Sequence, residues 1–230
     1  MIEYKMVEPI DSLIKIKNDY MSKKDVLIKK HPQWNQKEDT RICLFSKCIN
    51  VMNSCQLGLN YLHTDLSRID WWRNNATNIS EEDIRKYLGE FDMFLKLGLL
   101  QFIFSSLESS MRLILKSVDS SVCNQGADNF DNICCALLKR TGLQTHFDLI
   151  EFFKLVRNTL HNNGVYFPNN PKDKSISYKG KNYFFQVGKK IDFVTWELLI
   201  SLVSDIGVLS YDLTETKKVV SVLHIADPSS

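Results

Sequence analysis

Glycine and proline are scarce: 9 and 5 residues in a chain of 230, about half the ~12% that average usage would give. A β-sandwich or propeller needs a turn every 8–12 residues or so, so this shortage disfavours both and favours helices. A long apolar run is also missing. The longest strongly apolar uncharged stretch, 97–107, has eleven residues, against about 20 for a membrane-spanning helix. It reads as a buried core helix. The start, Met1-Ile2-Glu3-Tyr4-Lys5, has neither the basic opening nor the apolar stretch of a secretion signal. Excess charge of one sign is lacking too, with 29 Lys+Arg against 27 Asp+Glu. Without a global basic field, nucleic-acid binding would need a local patch.

The six cysteines, Cys43, Cys48, Cys55, Cys123, Cys134 and Cys135, form no C-x-x-C pair, and no histidine lies at zinc-finger spacing from them. Cys48 and Cys55 sit among apolar neighbours and read as small core residues. No metal or cofactor is expected, and the chain reads as cytoplasmic and reduced. There is no Walker-type loop, G-x-S-x-G elbow, H-E-x-x-H pair or Gly-Ser plus paired-Asp polymerase signature. ATPase, hydrolase, zinc-protease and nucleotide-transfer readings therefore have no support.

What is present is helical periodicity. The pattern predicts helices over 9–30, 37–73, 80–116, 130–141, 145–162 and 193–213, with a loop at 119–129. Ser80 and Asp83 make a capping-box-like start. Between 91 and 104 the third helix is apolar on nearly every side, which suits the centre of a bundle or the seam of a dimer. Gly142 and the run Asn162-Asn163-Gly164 supply helix stops. Near the C-terminal end, 176–178 and 183–185 flank a Lys179-Gly180-Lys181 turn and read as a β-hairpin. The expected fold is mainly α: one domain over 1–230, a helical bundle with one β-hairpin inserted (165–193) before the last long helix.

The chemistry-bearing stretch is Arg157-Asn158-Thr159-Leu160-His161-Asn162-Asn163-Gly164. Four residues apart on a helix, Arg157 and His161 share a face. Ile150, Phe153, Val156 and Leu160 form the apolar arc, Arg157 lies at its border, and His161, Lys154 and Asn158 fall just beyond. A histidine there could move the 2′-hydroxyl proton of RNA, and an arginine fork could stabilise a pentavalent phosphate. Asn158 could hold a phosphate oxygen or orient the imidazole. The plain alternative is a solvated helix edge and a capping residue.

Glu108 and Arg112 are spaced for a helical ion pair, either on the surface or semi-buried and facing the motif helix. Between 165 and 190 there are six lysines (172, 174, 179, 181, 189, 190) and one aspartate, a local net charge of +5. Tyr166, Phe167, Tyr178, Tyr183, Phe184 and Phe185 interleave with them and could stack on bases. They could equally pack inward while the lysines block edge-to-edge aggregation.

The Arg-Asn-x-x-His motif with its Asn-Asn-Gly tail, following a long helix that contains Leu107-Glu108 and Met111-Arg112, resembles the HEPN superfamily of helical nucleotide-associated domains. The similarity covers about 85–215, and is narrowest to branches in which a β-hairpin and a last helix follow the motif. In that family the Arg and His are the catalytic pair of metal-independent RNases, usually assembled across a homodimer. The resemblance implies that Arg157 and His161 are catalytic with Asn158 supporting, and that Glu108 and Arg112 lie near them. It further implies a metal-independent endoribonuclease of toxin or antiviral-defence type, with a possible neutralising or regulatory protein partner. RNA contacts are expected from Lys154, Lys179, Lys181 and Tyr183. The spacing departs from the family's, with three residues between Arg and His instead of four to six. Inactive members of the family bind RNA, a nucleotide or a protein partner, which is the alternative function.

Overall fold

The computed structural model describes residues 7–123 and 129–229. Helix α1 (Val7–Lys30) buries Leu13, Ile16, Tyr20 and Leu27 at helical spacing. It lies between α2 (Thr40–Tyr61) and α8 (Trp196–Thr214). Gly207 of α8 lets the α1 helix approach closely: a Cβ there would sit 2.5 Å from the Tyr20 ring. The Tyr20 hydroxyl donates to the Val203 carbonyl at 2.6 Å.

The continuous helix expected over 37–73 is broken. After α2 the chain widens into a π turn (Leu62–Leu66), becomes extended at Arg68 and restarts as the short α3 (Ile69–Asn75). The Trp72 indole N–H folds back onto the Leu66 carbonyl at 2.7 Å, and the Trp72 ring stacks on Tyr87. At the break two adjacent, partly buried indoles pack against Tyr61 and Tyr87, which offsets the few backbone bonds missing there.

Helix α4 (Glu81–Val118) starts at the anticipated capping box, Ser80 and Asp83 each bonding the other's backbone N–H. It is the central element, touching α2, α6 (Phe130–Thr141), α7 (Phe147–His161) and α8. It is not buried all round, however. Phe94 and Phe102 are 65% and 62% exposed, because α2 and α7 pack on either side and leave a strip uncovered. The segment 119–129, expected as a loop, begins with one helical turn, α5 (Ser120–Cys123); residues 124–128 lie outside the described residues.

Helix α6 ends at Gly142, whose φ of 78° is the left-handed stop expected. The apolar arc of α7 is wider than anticipated, since Phe152, Leu155 and Thr159 are buried along with Phe153, Val156 and Leu160. The additional face is covered by the hairpin of β1 (Lys174–Tyr178) and β2 (Lys181–Phe185), which pair antiparallel with Tyr178 opposite Lys181. Lys179 and Gly180 both have positive φ, 50° and 76°, the geometry of a type I′ turn. Phe152 meets Tyr178, Tyr183 and Phe185 at ring-centroid distances of 5.0, 4.6 and 6.3 Å. Helix α7 is thus held between α4 and the hairpin.

After α8 and the short α9 (Lys217–Val220), the C-terminal segment returns to the start of α2. There the Thr40 N–H donates to the Ile225 carbonyl and the Asp227 N–H to the Glu38 carbonyl. Arg41, fully buried, binds Asp39 through two nitrogens (2.8 and 2.6 Å) and reaches the Val219 and Val222 carbonyls. Its guanidinium lies 3.8 Å from the Trp34 ring centroid. Among the described residues no helix is long and apolar enough to cross a membrane.

Candidate active site at the end of helix α7

Arg157 is half-buried and pinned on two sides. Its Nε donates to Gln101 Oε1 on α4 at 2.8 Å, and its guanidinium lies 4.9 Å from the Phe104 ring centroid. Gln101 is oriented in turn, its amide nitrogen donating to Ser105 at 3.4 Å. One terminal nitrogen of Arg157 donates to Asn158 Oδ1 at 2.8 Å. Nη2 has no partner among the described residues, so it is available to an anion. Asn158 is exposed and supports the arginine, not the imidazole.

His161 is the last residue of α7, exposed and without a side-chain hydrogen bond among the described residues. Immediately beyond it Asn163 and Gly164 take left-handed conformations, φ 54° and 81°. The Gly164 N–H returns to the Thr159 carbonyl at 2.9 Å and closes the helix end. A Cβ on Gly164 would lie 3.4 Å from the Lys190 side chain, so the lysine stem crosses the end of α7. The structure therefore presents a held guanidinium and a free imidazole one turn apart.

The remaining residues named from sequence are placed as follows. Lys154 is ion-paired with Asp131 of α6 at 2.6 Å. Lys179 is held by Asp205 (2.9 Å) and Ser201 (2.8 Å) of α8. Tyr183, partly buried, packs against Phe152 and Phe193, with centroids 4.6 and 5.0 Å away, and its remaining surface lines the groove beside β2. Lys181 is exposed and has no such partner among the described residues. Glu108 and Arg112 bond each other along α4 at 3.2 Å, both partly exposed, two turns from Gln101.

Gln101 and Phe104, the residues that fix Arg157, were not among the site residues named from sequence. Gln101 had a signal, as the one amide inside the apolar run 97–107. Buried thiols add no reactive centre: burial pushes Cys48, Cys55 and Cys134 up to about 12. Among the described residues, no three His, Cys, Asp or Glu side chains gather as metal ligands.

Two grooves share the wall formed by Lys190, Ile191 and Asp192. One, of about 600 Å³, runs between β2 and the return segment 186–193; the other, of about 510 Å³, lies between that segment, the end of α7, and Met93 and Leu97 of α4. Only the second reaches the end of α7, at Leu160, Asn163 and Gly164, and neither Arg157 nor His161 lines either of them. A third hollow, apolar and about 350 Å³, opens between α2 and α4 beside Phe94, Gly98 and Phe102. No family model matches the chain, and no curated protein or solved structure proved similar to it.

Proposed function

We propose that the end of α7 is the catalytic site of a metal-independent endoribonuclease that works as a homodimer. The observation that carries the reading is Arg157 held against α4 by Gln101 and Phe104, with His161 unencumbered one turn further on. In this chemistry His161 takes the proton from a ribose 2′-hydroxyl, and the oxygen attacks the neighbouring phosphorus. Arg157 Nη2 donates to the phosphoryl oxygen on which charge builds, and the P–O5′ bond breaks as the 5′-oxygen takes a proton from water, the imidazolium returning its proton to solvent. The products are a 2′,3′-cyclic phosphate and a 5′-hydroxyl. Proton transfer by a positioned side chain is worth typically 10²–10⁴-fold, and a fixed donor at the developing charge about as much.

The exposed strip Phe94–Gly98–Phe102, on the α4 face bordering Gln101, supports the dimer. A second copy covering it would remove two large phenyl rings from water and bring two α7 ends near one another. Incubation of the protein with total RNA in EDTA tests the activity, with His161→Ala as control. Cleavage that the substitution abolishes is expected; an inert wild-type protein refutes it. One observation favours a second reading, a binding module without chemistry: two of Arg157's three nitrogens are already engaged within the protein. In that case RNA binds without being cut.

A further inference from the structure

We infer that the groove along the β2 edge of the hairpin is a track for single-stranded nucleic acid that leads the strand to the end of α7, toward His161. This rests on the RNA reading of the site and adds where, and in what form, the RNA lies.

Of the six lysines of 165–190, Lys172 is exposed, has no ion pair among the described residues and lies off the groove; the other five fall into two groups. Lys174 and Lys179 are neutralised by Glu151 and Asp205. Lys181, Lys189 and Lys190 are exposed and form no ion pair or side-chain hydrogen bond among the described residues. All three line the roughly 600 Å³ groove beside β2. Phe184, 64% exposed, lies on the same groove. Lysines that serve only solubility do not require a bare phenyl ring among them, whereas single-strand binding sites combine a positive groove with aromatic faces for the bases.

The groove also leads somewhere. Lys190, Ile191 and Asp192 line both it and the second groove, whose far wall is Leu160, Asn163 and Gly164. The track therefore runs from Phe184 across Lys190 to the turn that directly follows His161. Among the described residues, Asp192 is the single carboxylate on its walls, and the Lys190 stem passes over Gly164, where a Cβ would lie 3.4 Å from it. A duplex presents its bases inward and could not use Phe184, so the track selects unpaired strands.

Fluorescence anisotropy with a short labelled 2′-O-methyl oligonucleotide, which binds without being cleaved, reads this directly. Replacing Lys181, Lys189 and Lys190 together by Gln is expected to weaken binding at least tenfold. The slope of log affinity against log salt should fall by about 2, at ~0.7 for each single-strand phosphate no longer neutralised. Phe184→Ala should weaken binding roughly fivefold or more, while Lys179→Gln should change neither quantity. Wild-type binding with an unaltered slope in the triple variant overturns the track and leaves the RNA reading standing. Equal affinity for a duplex, or for polyglutamate of the same charge, overturns it as well. Binding by the track without cleavage sinks only the nuclease; no binding by the wild type sinks both.

Discussion

Arg41 is the residue whose loss should unsettle the fold most. It is fully buried with Asp39, spans the start of α2 and the returning C-terminal segment, and is roofed by the Trp34 ring. Arg41→Met keeps much of the volume and removes the charge. Asp39 is then left as a buried carboxylate with only the half-exposed His224 ring, 3.7 Å away, in place of the guanidinium, at a cost of about 3–5 kcal/mol for one partner of such a pair. The Val219 and Val222 carbonyls also lose their donor. Asp39 keeps its capping bond from the Arg41 backbone N–H (3.1 Å), which holds the total near the middle of that range, about 4 kcal/mol. For a chain of this size the melting temperature should fall by about 8–16 °C. Thermal and urea unfolding followed by circular dichroism measure the loss, and hydrogen exchange at Thr40 and Asp227, whose amides tie the C-terminal segment to the start of α2, locates it. Adding Asp39→Asn removes the orphaned charge while keeping a cap, and should recover part of the loss. A loss below about 1 kcal/mol in Arg41→Met would refute the reasoning.

Arg157→Ala should cost about 1–2 kcal/mol, from the Gln101 bond and the contact with Phe104, whereas exposed His161→Ala should leave the unfolding midpoint unchanged. Gln101→Leu, a positioning variant, should depress cleavage by releasing the Arg157 fork although both catalytic residues are still present; an unaltered rate and pH profile would show that Gln101 does not position the fork. Phe94→Ser with Phe102→Ser should convert a dimer to monomer in light scattering, and a wild-type monomer at micromolar concentration contradicts the dimer. Burial raises the Asp227 and Glu215 carboxyls, but hydrogen bonds from Lys47 and Ser229, and from Lys30 and His31, outweigh it and hold both below the usual carboxylate range. Their contribution is therefore present above the unfolded values, near pH 4, and lost as pH falls through the lower folded ones. A falling protection factor at the Asp227 amide, after correction for the intrinsic slowing of exchange in acid, on acidification below about pH 4 checks the sign.

The parts of the fold legible in the sequence were those decided by neighbouring residues. The Ser80–Asp83 box, the Gly142 stop and the Lys179-Gly180 turn are each set by local hydrogen bonds and φ preference. The break after α2 was not legible, because it depends on Trp72 finding Tyr87 across the bundle. Periodicity marked α4 as apolar on nearly every side but could not tell which part a neighbour would cover, so the centre of a bundle and the seam of a dimer stayed open for Phe94 and Phe102. Within the candidate site, the spacing of Arg157 and His161 was visible, and the partner that holds the arginine was not. The same distinction separates Lys179 from Lys181: both are turn lysines in the sequence, and only the packing of α8 brings Asp205 to one of them.

The most direct test of the central claim is single-turnover cleavage of RNA in EDTA by wild type, Arg157→Lys and His161→Ala, with the product ends identified. The account predicts 2′,3′-cyclic phosphate ends from the wild type and a rate at least about 10²-fold lower in His161→Ala. Arg157→Lys should also be impaired, because lysine keeps the charge but not the planar fork. Unimpaired cleavage by His161→Ala, or wild-type protein that binds RNA and never cuts it, would contradict the account.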